Sequence, residues 1–240
     1  MWEEIKEIDK LNPRDFDEEV LTEEAILHWF DVCDASWIHD GDPTKPHAEL
    51  TSGKCSNGYF NCPEVLKHPN LNEILARQLV RLLIENRVKE VDWVIGSAYA
   101  DITFSYEVAK AFGAIHGFTE KDPIEPKKKR MLWKRMTIPA ESTVLQVEEL
   151  ITTSGTFKEV RRAVVEGNAE PVNFLSTVGV LVHRPPELPV DYEIDGTKIK
   201  LVPLIQKEIW AVDPSECPLC KAGSKRLRPK THWKELTRKA

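Results

Sequence analysis

The sequence predicts an α/β fold, a central parallel sheet flanked by helices, on three observations. Short apolar runs bounded by turn residues alternate with stretches of helical periodicity through the middle of the chain. The helical stretches are long enough to cross between neighbouring strands, which makes those units right-handed and the strands parallel. Two loops that leave strand ends are built from small and hydroxylated residues, and ligands meet such a sheet at the carboxyl ends of its strands. With 240 residues, 41% hydrophobic and 30% charged, the chain can bury one substantial core.

Residues 1–45 read as an acidic, helical and irregular N-terminal region, with Ile26, Leu27, Trp29 and Phe30 in a short amphipathic stretch. Residues 40–61, rich in Gly, Pro, Asn and Ser, read as a loop. Asn70 is placed to cap a helix, with Glu73 completing a capping box. Leu71, Ile74, Leu75, Leu79, Leu82 and Leu83 carry that helix toward Arg87. Residues 91–95 (VDWVI) form a first strand, GSAYAD a turn, residues 102–112 a helix and residues 114–118 a second strand. A polar, proline-containing stretch spans 119–142. Residues 143–147 (TVLQV) form a third strand, EELITTSGT a loop that opens a helix reaching Glu166, and residues 174–182 a fourth strand. Residues 191–205 read as a β-hairpin turning at Asp195-Gly196. The chain thus divides into an N-terminal region (1–69), an α/β core (70–188) and a C-terminal hairpin with a basic tail (189–240).

Several classes are set aside. No run approaches the roughly 18 apolar residues of a membrane span. The start, Met1-Trp2-Glu3-Glu4, is acidic where a secretory signal is basic, so a cytoplasmic location is expected. An odd set of five cysteines then argues against a disulfide framework. Cys217-Pro218-Leu219-Cys220 has the spacing of half a zinc site, which Cys33, Cys62 or His232 would have to complete. A pair of ordinary thiols is the competing reading, and no metal ligand is assigned. The basic tail carries Trp233 but no nucleic-acid-binding module, so neither nucleic acid nor membrane is expected as a partner.

The chemistry concentrates in residues 144–156, VLQVEELITTSGT. An apolar strand delivers Glu148 and Glu149, then Thr152, Thr153, Ser154, Gly155 and Thr156 open a helix. Hydroxyls and helix N-terminal N–H groups suit a phosphate. Carboxylates repel phosphate but accept hydrogen bonds from sugar hydroxyls. The pattern asks for a vicinal diol at one end of a ligand and a phosphate at the other, as in ribose 5-phosphate. A tight strand-to-helix turn with threonine caps and an exposed Glu pair is the plain structural alternative.

This stretch resembles the thirteen-residue signature of the type I phosphoribosyltransferases, with Glu149 where the family usually has Asp. A second segment, HAELTSGKCSNGYFN from His47 to Asn61, is similar to orotate phosphoribosyltransferases. That resemblance implies the type I phosphoribosyltransferase fold, with N- and C-terminal segments forming a small hood. It implies that Ser52, Gly53 and Lys54 approach diphosphate or ribose, and that Tyr59 and Phe60 stack on a pyrimidine; without it the two aromatics read as core. Ser97, Ala98 and Tyr99 look like the family's diphosphate loop, with Ala100 where a cation is usual. Lys121 matches the Lys of an Arg-Lys pair, with Glu120 in the Arg position, and Lys127, Lys128, Lys129, Arg130, Lys134 and Arg135 form a basic loop, which also reads as plainly solvated. The implied reaction transfers phosphoribosyl from 5-phosphoribosyl 1-diphosphate (PRPP) to a pyrimidine, orotate first, with Mg²⁺ as cofactor and a homodimer as the assembly. Lys121, Glu148 and Glu149 would be the catalytic groups. A weakened, nucleotide-binding regulatory protein on the same fold is the alternative that the departures suggest.

Overall fold

The computed structural model of the chain describes residues 5–18, 20–124, 130–153 and 155–237. The first part supplies helices α1 (Ile5–Ile8) and α2 (Glu23–Val32) and strands β1 (Ser36–Ile38), β2 (His47–Glu49), β3 (Cys55–Ser56) and β4 (Gly58–Phe60). Helices α3 (Cys62–Leu66) and α4 (Pro69–Glu85) follow. The middle runs β5 (Trp93–Gly96), α5 (Ile102–Phe112), β6 (Ile115–Phe118), β7 (Glu120–Lys121), β8 (Met131–Leu132), β9 (Thr143–Ile151) and α6 (Gly155–Gly167). The last part adds β10 (Asn173–His183), β11 (Tyr192–Ile194), β12 (Thr197–Gln206) and β13 (Ala211–Val212), then α7 (Pro218–Lys221), β14 (Arg226–Leu227) and α8 (Trp233–Thr237).

The main sheet has the order β11-β12-β10-β9-β5-β6, parallel except for β11 at its edge. Numbered by appearance, its parallel strands run 2-1-3-4-5, with β5 the first and β9 the third. The order reverses between β5 and β9, and that switch point is where an open α/β sheet leaves a crevice. Alternate strand residues serve opposite faces. Leu145 and Val147 of β9 pack with Leu71, Leu75 and Leu79 of α4, whereas Val144 faces Val160 and Val164 of α6. Gly179 of β10 lets α4 sit close, since a Cβ there would lie 3.1 Å from Leu79.

The hairpin turn at Asp195-Gly196 forms as the sequence indicates, both residues having positive φ (48° and 77°). Three expectations need correction. Asn70 does not cap α4: the helix begins at Pro69, where a missing N–H costs nothing, and Asn70 instead donates to the carbonyls of Asp9 and Leu11. Residues 40–61 are not simply a loop, because β2, β3 and β4 lie within them. Strands β2 and β3 pair as a hairpin, β4 pairs with β1, and the hairpin takes β14 and β13 as remote partners that no local pattern announces. The third strand does not end at Val147. It continues to Ile151 because β10 runs beside it as far as His183.

A second sheet, β13-β3-β2-β14, joins residues 47–56 to residues 211–227. The basic tail folds onto it, with Trp233 and Leu236 against Ala48 and Leu227. Lys225 pairs with Glu235 (2.5 Å) and Arg228 with Glu49 (2.9 Å). Among the described residues no helix is long and apolar enough to cross a membrane.

Candidate active site

The GSAYAD turn begins where β5 ends. A Cβ on Gly96 would lie 2.1 Å from the Ser105 hydroxyl and 2.6 Å from Asp101 Oδ2, so only glycine lets the Asp101 carboxylate swing under the strand end. Asp101 is fully buried, accepts the Ser97 N–H at 3.0 Å through Oδ2, and leaves Oδ1 without a partner. Burial lifts its pKa well above the usual carboxylate range, and the neighbouring Glu149 and Glu148 add to the rise. Tyr99 in the same turn adopts positive φ (75°) and is 67% exposed, a strained conformation for an aromatic residue.

Glu148 and Glu149 lie among the last residues of β9, ahead of its end at Ile151, and their carboxylates stand beside Asp101 of this turn. Carboxylate oxygens of Asp101, Glu148 and Glu149 lie within 4.8 Å of one another. Glu148 is 1% exposed, and burial, then the charge of Glu149, pushes its pKa to about 8. Burial likewise raises Glu149, which is more open. Glu148 is held from behind. Gln146 Nε2 donates to Glu148 Oε1 (2.8 Å), and Arg161 Nε donates to Gln146 Oε1 (3.0 Å). Arg161 also donates to the Leu175 carbonyl (2.7 Å), and burial lowers its pKa to about 10. Two residues outside the expected set therefore fix the orientation of one inside it.

A cleft of about 640 Å³ opens here, lined by Ser97, Ala98, Lys121, Glu148, Glu149, Thr152, Thr153, Gly155 and Thr156. The carboxylates and the hydroxyl-bearing turn that leads into α6 thus share one cleft. Ser154 lies outside the described residues, as do Lys127, Lys128 and Lys129. Lys121 sits on the β7–β8 ribbon with its ammonium 4.8 Å from the Tyr99 ring centre. Glu120 beside it pairs with Arg135 at 2.5 Å.

Not every expected residue joins this cleft. Ser52, Gly53 and Lys54 occupy the turn between β2 and β3, where Ser52 and Lys54 are exposed, and none of the three lines the 640 Å³ space. Phe60 requires correction. It is 3% exposed and packs edge-on against Phe30 (5.6 Å), so its ring is core and offers no face to a pyrimidine. Neighbouring strand residues point oppositely, so Tyr59 and Phe60 cannot both face a ligand; Tyr59 is the partly exposed one.

Besides Gln146 and Arg161, two residues of the site stand outside the sequence-based expectation. Asp101 was visible as the acid closing the GSAYAD turn. Arg184, just beyond β10, is buried with its Nε unpartnered, and its charge acts on Tyr59 and Cys62. Its backbone N–H donates to Ile151, so it stands beside the end of β9. A buried, incompletely paired guanidinium fits a carboxylate ligand. Nothing local to HRPPE distinguishes it in the sequence.

No family model matches the chain. Curated relatives do. The orotate phosphoribosyltransferase of Desulforamulus reducens is 35% identical over 183 residues, 76% of this chain and 87% of the relative. That of Pelotomaculum thermopropionicum is 33% identical over the same shares. That of Caldicellulosiruptor saccharolyticus is 31% identical over 87% of this chain and 97% of its own. Among solved structures, UMP synthase of Leishmania donovani matches with TM-score 0.51 at 14% identity, covering 77% of this chain and 36% of that one, a likeness of fold. With these relatives matched over most of their length, the chain belongs to the orotate phosphoribosyltransferase family.

Proposed function

We propose that this chain is a pentosyltransferase that moves the 5-phosphoribosyl group of PRPP to orotate and releases diphosphate, a step of pyrimidine nucleotide synthesis. The observation that carries the reading is the juxtaposition of a carboxylate cluster and a hydroxyl-lined helix N-terminus in one cleft at the β5/β9 switch point. Family membership supplies the substrates.

Glu148 and Glu149 would accept hydrogen bonds from the ribose hydroxyls. Thr152, Thr153, Ser154, Gly155 and Thr156 would hold the 5-phosphate, with the α6 N-terminus adding its partial charge. Ser97, Ala98, Tyr99, Lys121 and the turn at Ser52, Gly53 and Lys54 would meet the diphosphate. Tyr59 and Arg184 would serve the base, the guanidinium facing orotate's carboxylate. As the bond at the anomeric carbon breaks, the sugar becomes cationic and the leaving group more anionic. Catalysis is then mainly placement of fixed charge, carboxylates toward the sugar and cations toward the diphosphate. Orotate carries its charge on the carboxylate at neutral pH, so the attacking ring nitrogen must lose its proton, to solvent or to the departing diphosphate, as the new bond forms.

The carboxylate cluster also suits Mg²⁺. Three carboxylates offer the hard oxygen donors this ion takes, Asp101 Oδ1 has no hydrogen-bond partner, and burial with mutual repulsion raises the carboxyl pKa values, which a cation would relieve. Asp101, Glu148 and Glu149 would hold it, directly or through its waters. Bound there with PRPP, it would neutralise diphosphate charge. The segments 1–69 and 189–240 would form a hood over the 70–188 core, and a cytoplasmic homodimer is the expected assembly.

Loss of orotate absorbance in the presence of PRPP and Mg²⁺ tests the reading. Turnover with orotate exceeding that with other bases is expected. Absence of turnover with every common nucleobase rejects it.

A further inference from the structure

Outside the cleft, the second sheet gathers four donors that the transferase reading does not use. His47 opens β2, Cys55 opens β3, Cys217 caps the N-terminus of α7 and Cys220 lies within that single turn. The His47 and cysteine donor atoms all lie within 4.8 Å of one another. Cys55 Sγ is 3.5 Å from Cys220 Sγ, and His47 Nε2 lies 3.6 Å from Cys217 Sγ and 3.4 Å from Cys220 Sγ. A tetrahedral zinc ion, with Zn–S about 2.3 Å and Zn–N about 2.0 Å, puts sulfurs about 3.8 Å apart and nitrogen about 3.5 Å from sulfur. The spacing found is that of a ligand shell.

We propose that His47, Cys55, Cys217 and Cys220 bind one structural zinc ion, which fastens the C-terminal segment to the β2–β3 hairpin.

The surrounding bonds prepare the donors. His47 Nδ1 is 2.7 Å from Ser224 Oγ, and that hydroxyl donates to the Lys45 carbonyl (2.6 Å). With its proton committed to the carbonyl, Ser224 can only accept from Nδ1–H, which leaves the Nε2 lone pair directed at the sulfurs. Cys217 Sγ accepts the Cys220 N–H at 3.4 Å, the arrangement of a C-x-x-C turn curled around a metal, and Gly223 (φ 87°) turns the chain away. His47, Cys55 and Cys217 are buried, so the shell is closed to substrate, as structural zinc sites are. A disulfide would use two of the sulfurs and leave the third and the imidazole without purpose. The completing ligands are not those the sequence suggested: Cys33 is in the main core, Cys62 donates to the Glu149 carbonyl, and His232 bonds Thr231.

Cys55 directly follows the Ser52-Gly53-Lys54 turn and His47 opens the strand before it, so the ion would steady the hairpin that presents this turn. The test does not depend on the transferase assignment. Full-length protein from zinc-supplemented cells is assayed for metal by plasma mass spectrometry and, after cobalt exchange, by absorption spectroscopy. Expected are about one zinc per chain and, with cobalt, tetrahedral d–d bands plus a thiolate charge-transfer band. Cys217→Ser/Cys220→Ser should lose the metal and both bands, and Cys33→Ser should keep them. Strong chelation of the wild type should lower the melting transition by roughly 5 °C or more. Wild-type protein without stoichiometric zinc and without thiolate–cobalt bands overturns the proposal whether or not the double variant folds, as does a Cys55–Cys220 disulfide in place of metal.

Discussion

Two donor clusters in this molecule are chemically opposite. Asp101, Glu148 and Glu149 gather oxygen atoms within 4.8 Å where Glu148 and Glu149 line a cleft, and His47, Cys55, Cys217 and Cys220 gather sulfur and nitrogen within 4.8 Å between the second sheet and α7. The first shell has room for a ligand with its own oxygens, which suits a hard cation that arrives with substrate. The second leaves none, which suits a resident ion. Openness and donor type together separate a place for chemistry from a fastening.

The two clusters also differ in how they could be read. The acidic one is largely local, since Glu148, Glu149 and residues 152–156 fall in one short run whose strand-to-helix context is itself a signal. Asp101 enters only because β5 and β9 are neighbours, which the fold class already implies. The zinc-type cluster joins β2 and β3 to α7 across more than half the chain, through strands of two or three residues. Such strands have no periodicity to detect, so the C-x-x-C pair showed half a site and the partners stayed hidden. The same limit explains Phe60, whose facing depends on the pairing of β4 with β1, and Asn70, whose amide was claimed by the N-terminal segment.

Four experiments sharpen or break the contrast, in order of expected effect. Glu149→Ala should lower kcat/KM for PRPP by about 10²- to 10³-fold, because charge facing the sugar is lost where it matters most. A change below about threefold, measured in steady state, would remove the carboxylates from the sugar. Arg161→Met should cost about 10- to 100-fold in kcat/KM, since it releases Gln146 from behind Glu148 as well as dropping the bond to the Leu175 carbonyl. Circular dichroism alongside the kinetics separates that from unfolding.

The pH dependence follows from Glu148. Its folded pKa, about 8, exceeds that of the unfolded chain, so its contribution to stability is complete at low pH. That contribution is lost as pH rises toward 8. Free of ligand, Glu148→Gln should therefore gain melting temperature relative to wild type at pH 8, by several degrees, and show little difference at pH 4. An equal offset at both values would mean that Glu148 is ionised throughout. The smallest effect is expected for Ala100→Lys, which restores a cation beside the diphosphate loop and should lower KM for PRPP by less than about tenfold. An unchanged KM would place the diphosphate away from that turn.

Titration calorimetry of PRPP with Mg²⁺, in two buffers of different ionisation enthalpy near pH 7, addresses the carboxylate cleft most directly. Because Glu148 holds a proton at that pH in the free protein, binding should release protons, and the heat should differ between buffers. Glu149→Ala should weaken binding by at least about tenfold. Buffer-independent heats together with wild-type affinity in the variant would contradict a sugar and cation seated on Asp101, Glu148 and Glu149.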